Sequence, residues 1–409
     1  MLALDFINTV AFAGLVLFAG HGVRRVAPVL SRYNVPAPVI GGLIIAAAVA
    51  VARSRGLALV TFDTRMQSPL MIAFFTTIGF GASFSLLKVG GPQVLVFTAL
   101  CTIVAVLQNA LGAIVATILG LHPLFGVLSG SVTLTGGPAT GLAFAPLFES
   151  AGVPGAATIA VASAMAGIIS GGIIGGPLAT ILVRRHGLAR DMGHLGRSNQ
   201  IAAQIVESQL HDSSGPAPAG EDKESYALLK ALVVILTAMW LGSIVSGRLE
   251  SWGLTLPAYI GAMLVASIIR NIDDATRVIG LSQSTIDDLG NVALSLFLVL
   301  ALMTLRLWEL AGLALPMMVI LVFQVALIAL VAFWPVFPAM GRDYDAAVMS
   351  GGMCGFMLGT TANAMANMEA LVDRYGSAPR AFLVVPMVGA FFIDFINAVL
   401  ITVSLNIWT

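Results

Sequence analysis

Asp394 is the only formal charge from Ala381 to Thr409, and Asn397 follows it three residues later in the same apolar run. On a helix the two share a face, and a carboxylate beside an amide oxygen is the hard-oxygen chemistry that a small cation takes. Asn291 with Ser295, at i and i+4, offers partner oxygens, as do Asn363 and Asn367. For Asp394 the alternative is an ion pair or a hydrogen-bonded anchor between helices, and for the amides it is interhelical hydrogen bonding without any ion. Gln108, Asn109 and Gln324 are read as such helix glue. A second chemistry lies in two Gly/Thr-dense runs. One is Gly130-Ser-Val-Thr-Leu-Thr-Gly-Gly-Pro-Ala-Thr-Gly141, and the other is Gly351-Gly-Met-Cys-Gly-Phe-Met-Leu-Gly-Thr-Thr-Ala-Asn-Ala-Met-Ala-Asn367. Helices restarting after Pro138 and after Gly359 would aim free N–H groups, with roughly half a positive charge, at an anion. Thr135, Gly136, Gly137 and Thr140 at the first tip, and Gly359, Thr360, Thr361 and Asn363 at the second, are the candidate ligand contacts. Turn chemistry with Thr capping would use the same groups.

These groups need elements that hold them in an apolar medium. The chain has 409 residues, 58% hydrophobic and only 10% charged, with a mean hydropathy of +0.98. No formal charge occurs between Lys88 and Glu149 or between Leu310 and Gly341. A water-exposed surface would not stay soluble with such stretches, so this is an all-α integral membrane protein. Twenty basic and twenty acidic residues cancel, which excludes a nucleic-acid surface. Two cysteines and five histidines without HExxH spacing exclude a disulfide framework and a structural zinc site. The segment from Asp5 lacks a signal peptide's basic start and cleavage site, so the first span is expected to be retained.

Spans of about 20 apolar residues are expected at 7–24, 36–52, 68–87, 92–119, 156–183, 227–247, 254–270, 287–306, 312–334 and 379–406. Trp252, Trp308 and Trp408 lie near span ends, as interfacial anchors do. The stretches 122–149 and 343–373 fit poorly as continuous helices, because each interior Gly costs about 1 kcal/mol and Pro about 3. Each is read as a re-entrant helical hairpin with its Gly/Thr tip at membrane depth. A plain span with close glycine packing is the alternative. The polar tract 184–225, with Pro216 and Pro218, is read as a cytoplasmic linker that includes an amphipathic helix near Gln200–Leu210. The acid pairs Asp273-Asp274 and Asp287-Asp288 are read as solvated loop charge.

The order of features repeats. Ala37-Pro-Val-Ile-Gly-Gly-Leu43 resembles Pro257-Ala-Tyr-Ile-Gly-Ala-Met263, and Val127-Leu-Ser-Gly130 resembles Val348-Met-Ser-Gly351, at offsets of 220 and 221 residues. Residues 1–183 and 226–409 thus form two membrane repeats of five spans and one hairpin each. An odd number of crossings inverts the second. With the N-terminus on one side, the basic residues divide fifteen to five in favour of the other. By the positive-inside rule both termini lie outside and the linker inside. Paired interrupted segments at matching places point to a transporter site.

At this point a family emerges. Leu289-Gly-Asn-Val-Ala-Leu-Ser-Leu-Phe-Leu298, Leu307-Trp-Glu-Leu-Ala-Gly-Leu-Ala-Leu-Pro316, Asn363-Ala-Met-Ala-Asn-Met368 and Phe382-Leu-Val-Val-Pro-Met-Val-Gly-Ala-Phe-Phe-Ile-Asp394 resemble the bacterial sodium/glutamate symporter family. So do Pro69-Leu-Met-Ile-Ala-Phe-Phe-Thr-Thr-Ile-Gly79 and the first tip. The resemblance covers nearly the whole chain. It implies Na⁺-coupled uptake of L-glutamate across a bacterial inner membrane, a homodimer, and an elevator movement of a hairpin-bearing domain against a scaffold. Asp394, Asn397, Asn291, Ser295 and Asn367 are then the expected sodium ligands. Two departures fall at the tips: Pro138 stands where the family has His, and a family Pro is missing from Gly359-Thr-Thr-Ala-Asn-Ala364. Another amino acid or carboxylate, and proton coupling, therefore stay open as alternatives. An intramembrane enzyme would need a second facing acid or a second magnesium-binding acid pair. The tip is no P-loop, since Leu142 stands where Lys is required. A channel would not need duplicated inverted halves.

Overall fold

The computed structural model describes residues 2–57, 60–188, 222–251, 258–310 and 312–408. Most of the linker, including Gln200–Leu210, Pro216 and Pro218, lies outside the described residues, as do Trp252 and Pro257. In lipid each backbone polar group must be satisfied within its own segment, so the apolar runs fold as helices. In chain order these are α1 (Phe6–Val26), α2 (Pro28–Arg32), α3 (Ala37–Ser54), α4 (Gln67–Gly81), α5 (Phe84–Ile118), α6 (Pro123–Val127), α7 (Gly137–Ser150) and α8 (Ala156–Arg185). After the linker come α9 (Lys223–Ser251), α10 (Ala258–Thr276), α11 (Gln283–Met303), α12 (Ala314–Val331), α13 (Tyr344–Met357), α14 (Thr361–Tyr375), α15 (Pro379–Met387) and α16 (Ile393–Trp408). One departure from an all-α chain is a short parallel pairing of Leu2–Ala3 with Val60–Thr61.

Among the described residues, seven helices are long and apolar enough to cross a membrane: α1, α3, α5 from Gly91, α8, α9, α11 and α12. The other three expected spans are shorter, interrupted or more charged, each for a visible reason. α4 ends at Gly81 rather than at residue 87, where α10 takes up the carbonyl of the capping residue Ala82. Asn271 Nδ2 donates to Ala82 O at 2.9 Å and Ser267 Oγ to the same oxygen at 3.3 Å. The chain turns again at Gly91 (φ 65°), and Pro92 then starts the long part of α5, as suits a residue without an N–H. α10 carries Arg270, Asp273 and Asp274 in its final turns. The last span is two helices, α15 and α16, joined by a π-helical turn at Val388–Phe392 just after Pro386.

Neither Gly/Thr-dense stretch is a continuous rod. α6 runs into a π turn, Leu128–Val132, which leaves helical geometry at Gly130, and α7 restarts at Gly137. α13 stops at Met357 and α14 starts at Thr361. In both pairs the first and last residues sit side by side. Tyr344 Oη, at the start of α13, donates to Gly376 O just beyond α14 at 2.6 Å. A side chain at Gly152, just past α7, would stand 3.9 Å from His122, just before α6.

The helices sort into two groups. α1, α3, α4, α9, α10 and α11 pack chiefly on one another, and α5 to α8 with α12 to α16 form the other group. The tightest crossings use glycine, as expected where backbones meet without water to drive them together. A Cβ at Gly20 would overlap the carbonyl of Ala37, and one at Gly41 the carbonyl of Val16, where α1 crosses α3. The same pairing recurs where α9 crosses α10, between Gly242 and Gly261-Ala262. Apolar side chains such as Leu229, Leu236 and Trp240 of α9 are exposed, as on a helix that faces lipid.

Three of the four acids, Asp273, Asp274 and Asp287, are not solvated loop charge, which corrects the sequence reading for them, while Asp288 is exposed as expected. Asp273 is buried and accepts from the N–H groups of Ile279, Gly280 and Leu281 at 2.8–3.0 Å. Asp274 pairs with Arg270 at 2.9 Å, and Asp287 accepts from Gln283 Nε2 at 2.8 Å. Lys230 donates to Ile279 O and Gly280 O at 2.9 and 2.7 Å. Asp273 therefore satisfies the turn between α10 and α11, whose free N–H groups would otherwise be stranded.

Candidate functional site

The two broken pairs meet at a cavity of about 330 Å³, at the small end of ligand sites, which run roughly 300–1,000 Å³. One wall is Thr135 to Ala139 of the first tip, and another is Gly359, Thr360 and Thr361 of the second, with Gly389 and Asp394 behind them. The opposite wall comes from the other group of helices: Leu294, Ser295 and Leu298 of α11, Phe74 of α4, Pro36 to Pro38, and His21 and Arg24 of α1. The tips are close enough that a Cβ on Gly137 would stand 3.7 Å from Gly359 O.

Each tip presents the positive end of a helix. Gly137 has φ +69°, a conformation that glycine adopts at no steric cost, and Pro138 follows at the start of α7. At the second tip Thr360 caps α14, its hydroxyl accepting the Asn363 N–H at 3.4 Å. The fully buried Gln108 ties the two breaks together. Its Oε1 accepts from Thr135 Oγ1 at 2.7 Å and its Nε2 donates to Met357 O at 3.0 Å. Gln324 Nε2 in turn donates to Gln108 O at 2.7 Å. The glutamines are thus the glue that their sequence setting suggests. Thr361 Oγ1 donates to Gly389 O at 3.0 Å, which fastens the second tip to the π turn before α16.

Of the expected site residues, Thr135, Gly136, Gly137, Gly359, Thr360, Thr361, Ser295 and Asp394 line this one cavity. Thr140 does not; its side chain lies under Gly136, where any Cβ would press on it. Asn363 and Asn367 are buried one layer back, with their Nδ2 atoms on Ile168 O (2.7 Å) and Gly171 O (3.0 Å) of α8. Asn397 also faces inward, donating to Ser131 O at 2.9 Å. Asn291 is exposed on α11 and does not line the cavity, although it is only one turn from Ser295. Three buried amides spend an N–H on a carbonyl, as interhelical glue does, yet Asn363 Oδ1 and Asn397 Oδ1 keep no partner among the described residues.

Two charges dominate the cavity. Among the described residues the Asp394 carboxylate has no hydrogen-bond or ion-pair partner, so the expected alternative of a helix anchor finds none there. Arg24 likewise has none. Sequence reasoning missed Arg24 and His21 as site residues. They read as ordinary basic flanks of a span, and only folding turns them toward the tips.

The description "Sodium/glutamate symporter" belongs to the family model that matches residues 2–377. The sodium/glutamate symporter of Haemophilus influenzae is 40% identical over 97% of this chain and 96% of its own length. That of Escherichia coli is 40% identical over 99% of this chain and 98% of its own. A solved sodium proton antiporter from Methanocaldococcus jannaschii aligns over 97% of this chain and 96% of its own, at 13% identity and a TM-score of 0.44.

Proposed function

The chain belongs to the sodium/glutamate symporter family, and from that premise we propose that it carries L-glutamate inward with Na⁺ across a bacterial cytoplasmic membrane by an elevator movement. It is a transporter rather than an enzyme. One observation carries the reading. A single cavity joins two helix N-termini, one carboxylate and one guanidinium, and its two walls belong to different helix groups. An amino dicarboxylate has two negative charges and one positive. In an apolar setting each must be met: the two helix N-termini and Arg24 face the carboxylates, and Asp394 is the negative charge that the ammonium group and a sodium ion share.

In this reading residues 1–183 and 226–409 are inverted repeats, each with a re-entrant hairpin, at 122–149 and 343–373. The side-by-side ends of both pairs and the repeated glycine crossings support that plan. The group bearing the hairpins is the mobile domain, and α1, α3, α4, α9, α10 and α11 are the scaffold. The charge bias supports termini outside and the 184–225 linker inside, so the mouth beside Arg24 opens to the cytoplasm. A homodimer belongs to the same proposal. Thr135, Gly136, Gly137, Gly359, Thr360 and Thr361 hold one carboxylate through N–H and hydroxyl donors, and Thr140 and Asn363 brace them. Asp394 with Ser295 takes a sodium ion at the cavity; Asn367 acts as packing, and Asn291 lies too far out to join.

The test is uptake of labelled glutamate into liposomes holding the purified protein. Saturable uptake that requires an inward Na⁺ gradient is expected; ohmic current, or uptake driven equally by a proton gradient without Na⁺, would reject the reading. Pro138 on the cavity wall favours a second reading, another carboxylate substrate, so a panel of amino acids and dicarboxylates belongs in the competition series.

Arg24 is the cation on the scaffold wall and so the counter-charge for the second carboxylate. Losing one charge-assisted hydrogen bond costs about 1.5–3 kcal/mol. Arg24→Gln is therefore expected to raise the half-saturating glutamate concentration by about tenfold or more, and competition by glutamine is expected to change little. Equal losses for both solutes would show that Arg24 acts only on packing.

A further inference from the structure

We infer a Na⁺ site behind the first tip, built from the Ser131 hydroxyl and the Asn397 side-chain oxygen with Asn109 beside them; it rests on the sodium-coupled reading above. Ser131 and Asn397 are both 0% exposed, yet Ser131 Oγ and Asn397 Oδ1 have no hydrogen-bond partner among the described residues. Buried polar atoms are seldom left so. The two residues adjoin, since Asn397 Nδ2 donates to Ser131 O at 2.9 Å. Asn109 Oδ1 accepts the Ser131 N–H at 3.1 Å, and an amide oxygen has a second lone pair to give. Three hard, neutral oxygens thus gather from α5, the first break and α16.

Neutral oxygens without a carboxylate suit a singly charged hard cation better than a divalent one, which draws on several acidic ligands. The compensating charge is at hand. The apolar half-helix Pro123–Val132 ends here, and carbonyl groups at such an end carry a partial negative charge. Sodium in broken-helix carriers is held by this kind of group. The site also sits where an ion would act on the substrate. Ser131 O accepts from Thr135 N at 3.2 Å and Gly136 N at 3.0 Å, so the ligand-facing tip hangs from the same residue. A cation held at Ser131 fixes that tip and lends a positive charge to the carboxylate in front of it. Asn397 then serves a site apart from Asp394, although the two are one helical turn apart.

The experiment titrates Na⁺ alone, with choline as replacement, into the purified full-length protein and reads the melting temperature. It then measures the Na⁺ dependence of glutamate uptake in liposomes. Wild type is expected to be stabilised by Na⁺. Ser131→Ala and Ser131→Cys, which preserve the small volume and remove the hard oxygen, should raise the half-effective Na⁺ concentration about tenfold or more in both assays. Glutamate half-saturation at high Na⁺ should stay within about threefold. Asn397→Ala should behave likewise. Wild-type Na⁺ midpoints in Ser131→Ala and Asn397→Ala would overturn the site and leave a buried water as the partner of these oxygens. A rise in glutamate half-saturation with an unmoved Na⁺ midpoint would overturn it too, marking the residues as mere tip supports. A wild-type protein that takes up glutamate with indifference to Na⁺ would remove the sodium-coupled reading itself.

Discussion

Asp394→Asn is expected to abolish Na⁺-driven glutamate uptake while the protein still inserts, folds and purifies as wild type. The substitution keeps shape and volume, and among the described residues no hydrogen bond or ion pair of the carboxylate is lost. What disappears is one negative charge on the wall of the cavity that holds both tips. At about 4 Å and an effective dielectric near 20, a carboxylate attracts a monovalent cation by about 4 kcal/mol. That is about a thousandfold in affinity, enough to empty the site at any practical Na⁺ concentration. Counterflow of labelled glutamate in the presence and absence of Na⁺ checks it. Normal Na⁺-dependent uptake by Asp394→Asn would remove Asp394 from the ion pathway.

Gly137→Val should come next in size, with uptake lowered about a hundredfold at nearly unchanged expression. At φ +69° a residue with a Cβ is strained by roughly 1–2 kcal/mol, and a β-branched one is a genuine outlier. The new side chain would also project into the gap between the tips, starting 3.7 Å from Gly359 O. Together these amount to about 3 kcal/mol against the geometry that aims the α7 N-terminus at the ligand, or about two orders of magnitude. Gly137→Ala suffers only the backbone strain and should lose about tenfold. A Gly137→Val protein with wild-type uptake would mean that the ligand does not sit between the tips.

Much of this was legible in the chain itself. The interruptions at Gly130–Gly137 and Gly359–Thr361 were visible because Gly and Pro at those positions oppose a continuous helix. The end of α4 at Gly81 was not visible, because the partners of the Ala82 carbonyl, Ser267 and Asn271, lie on α10 far along the chain. Asp273 looked solvated for the same reason. Its partners are three backbone N–H groups of a turn that adopts its shape only when α10 and α11 pack.

By itself the sequence determined the apolar medium, the helical segments, the two broken pairs and their repetition, and the residue types that meet an anion and a cation. These follow from local rules: hydropathy, helix propensity and the spacing of like residues. Which groups share a cavity was decided only in three dimensions. Asp394 and Asn397 lie on one helix a turn apart, yet one faces the cavity and the other Ser131. Arg24, hundreds of residues away in sequence, shares the cavity with Asp394. The physical reason is that a side chain's electrostatic role depends on distance and burial, and both are set by how the two groups of helices pack.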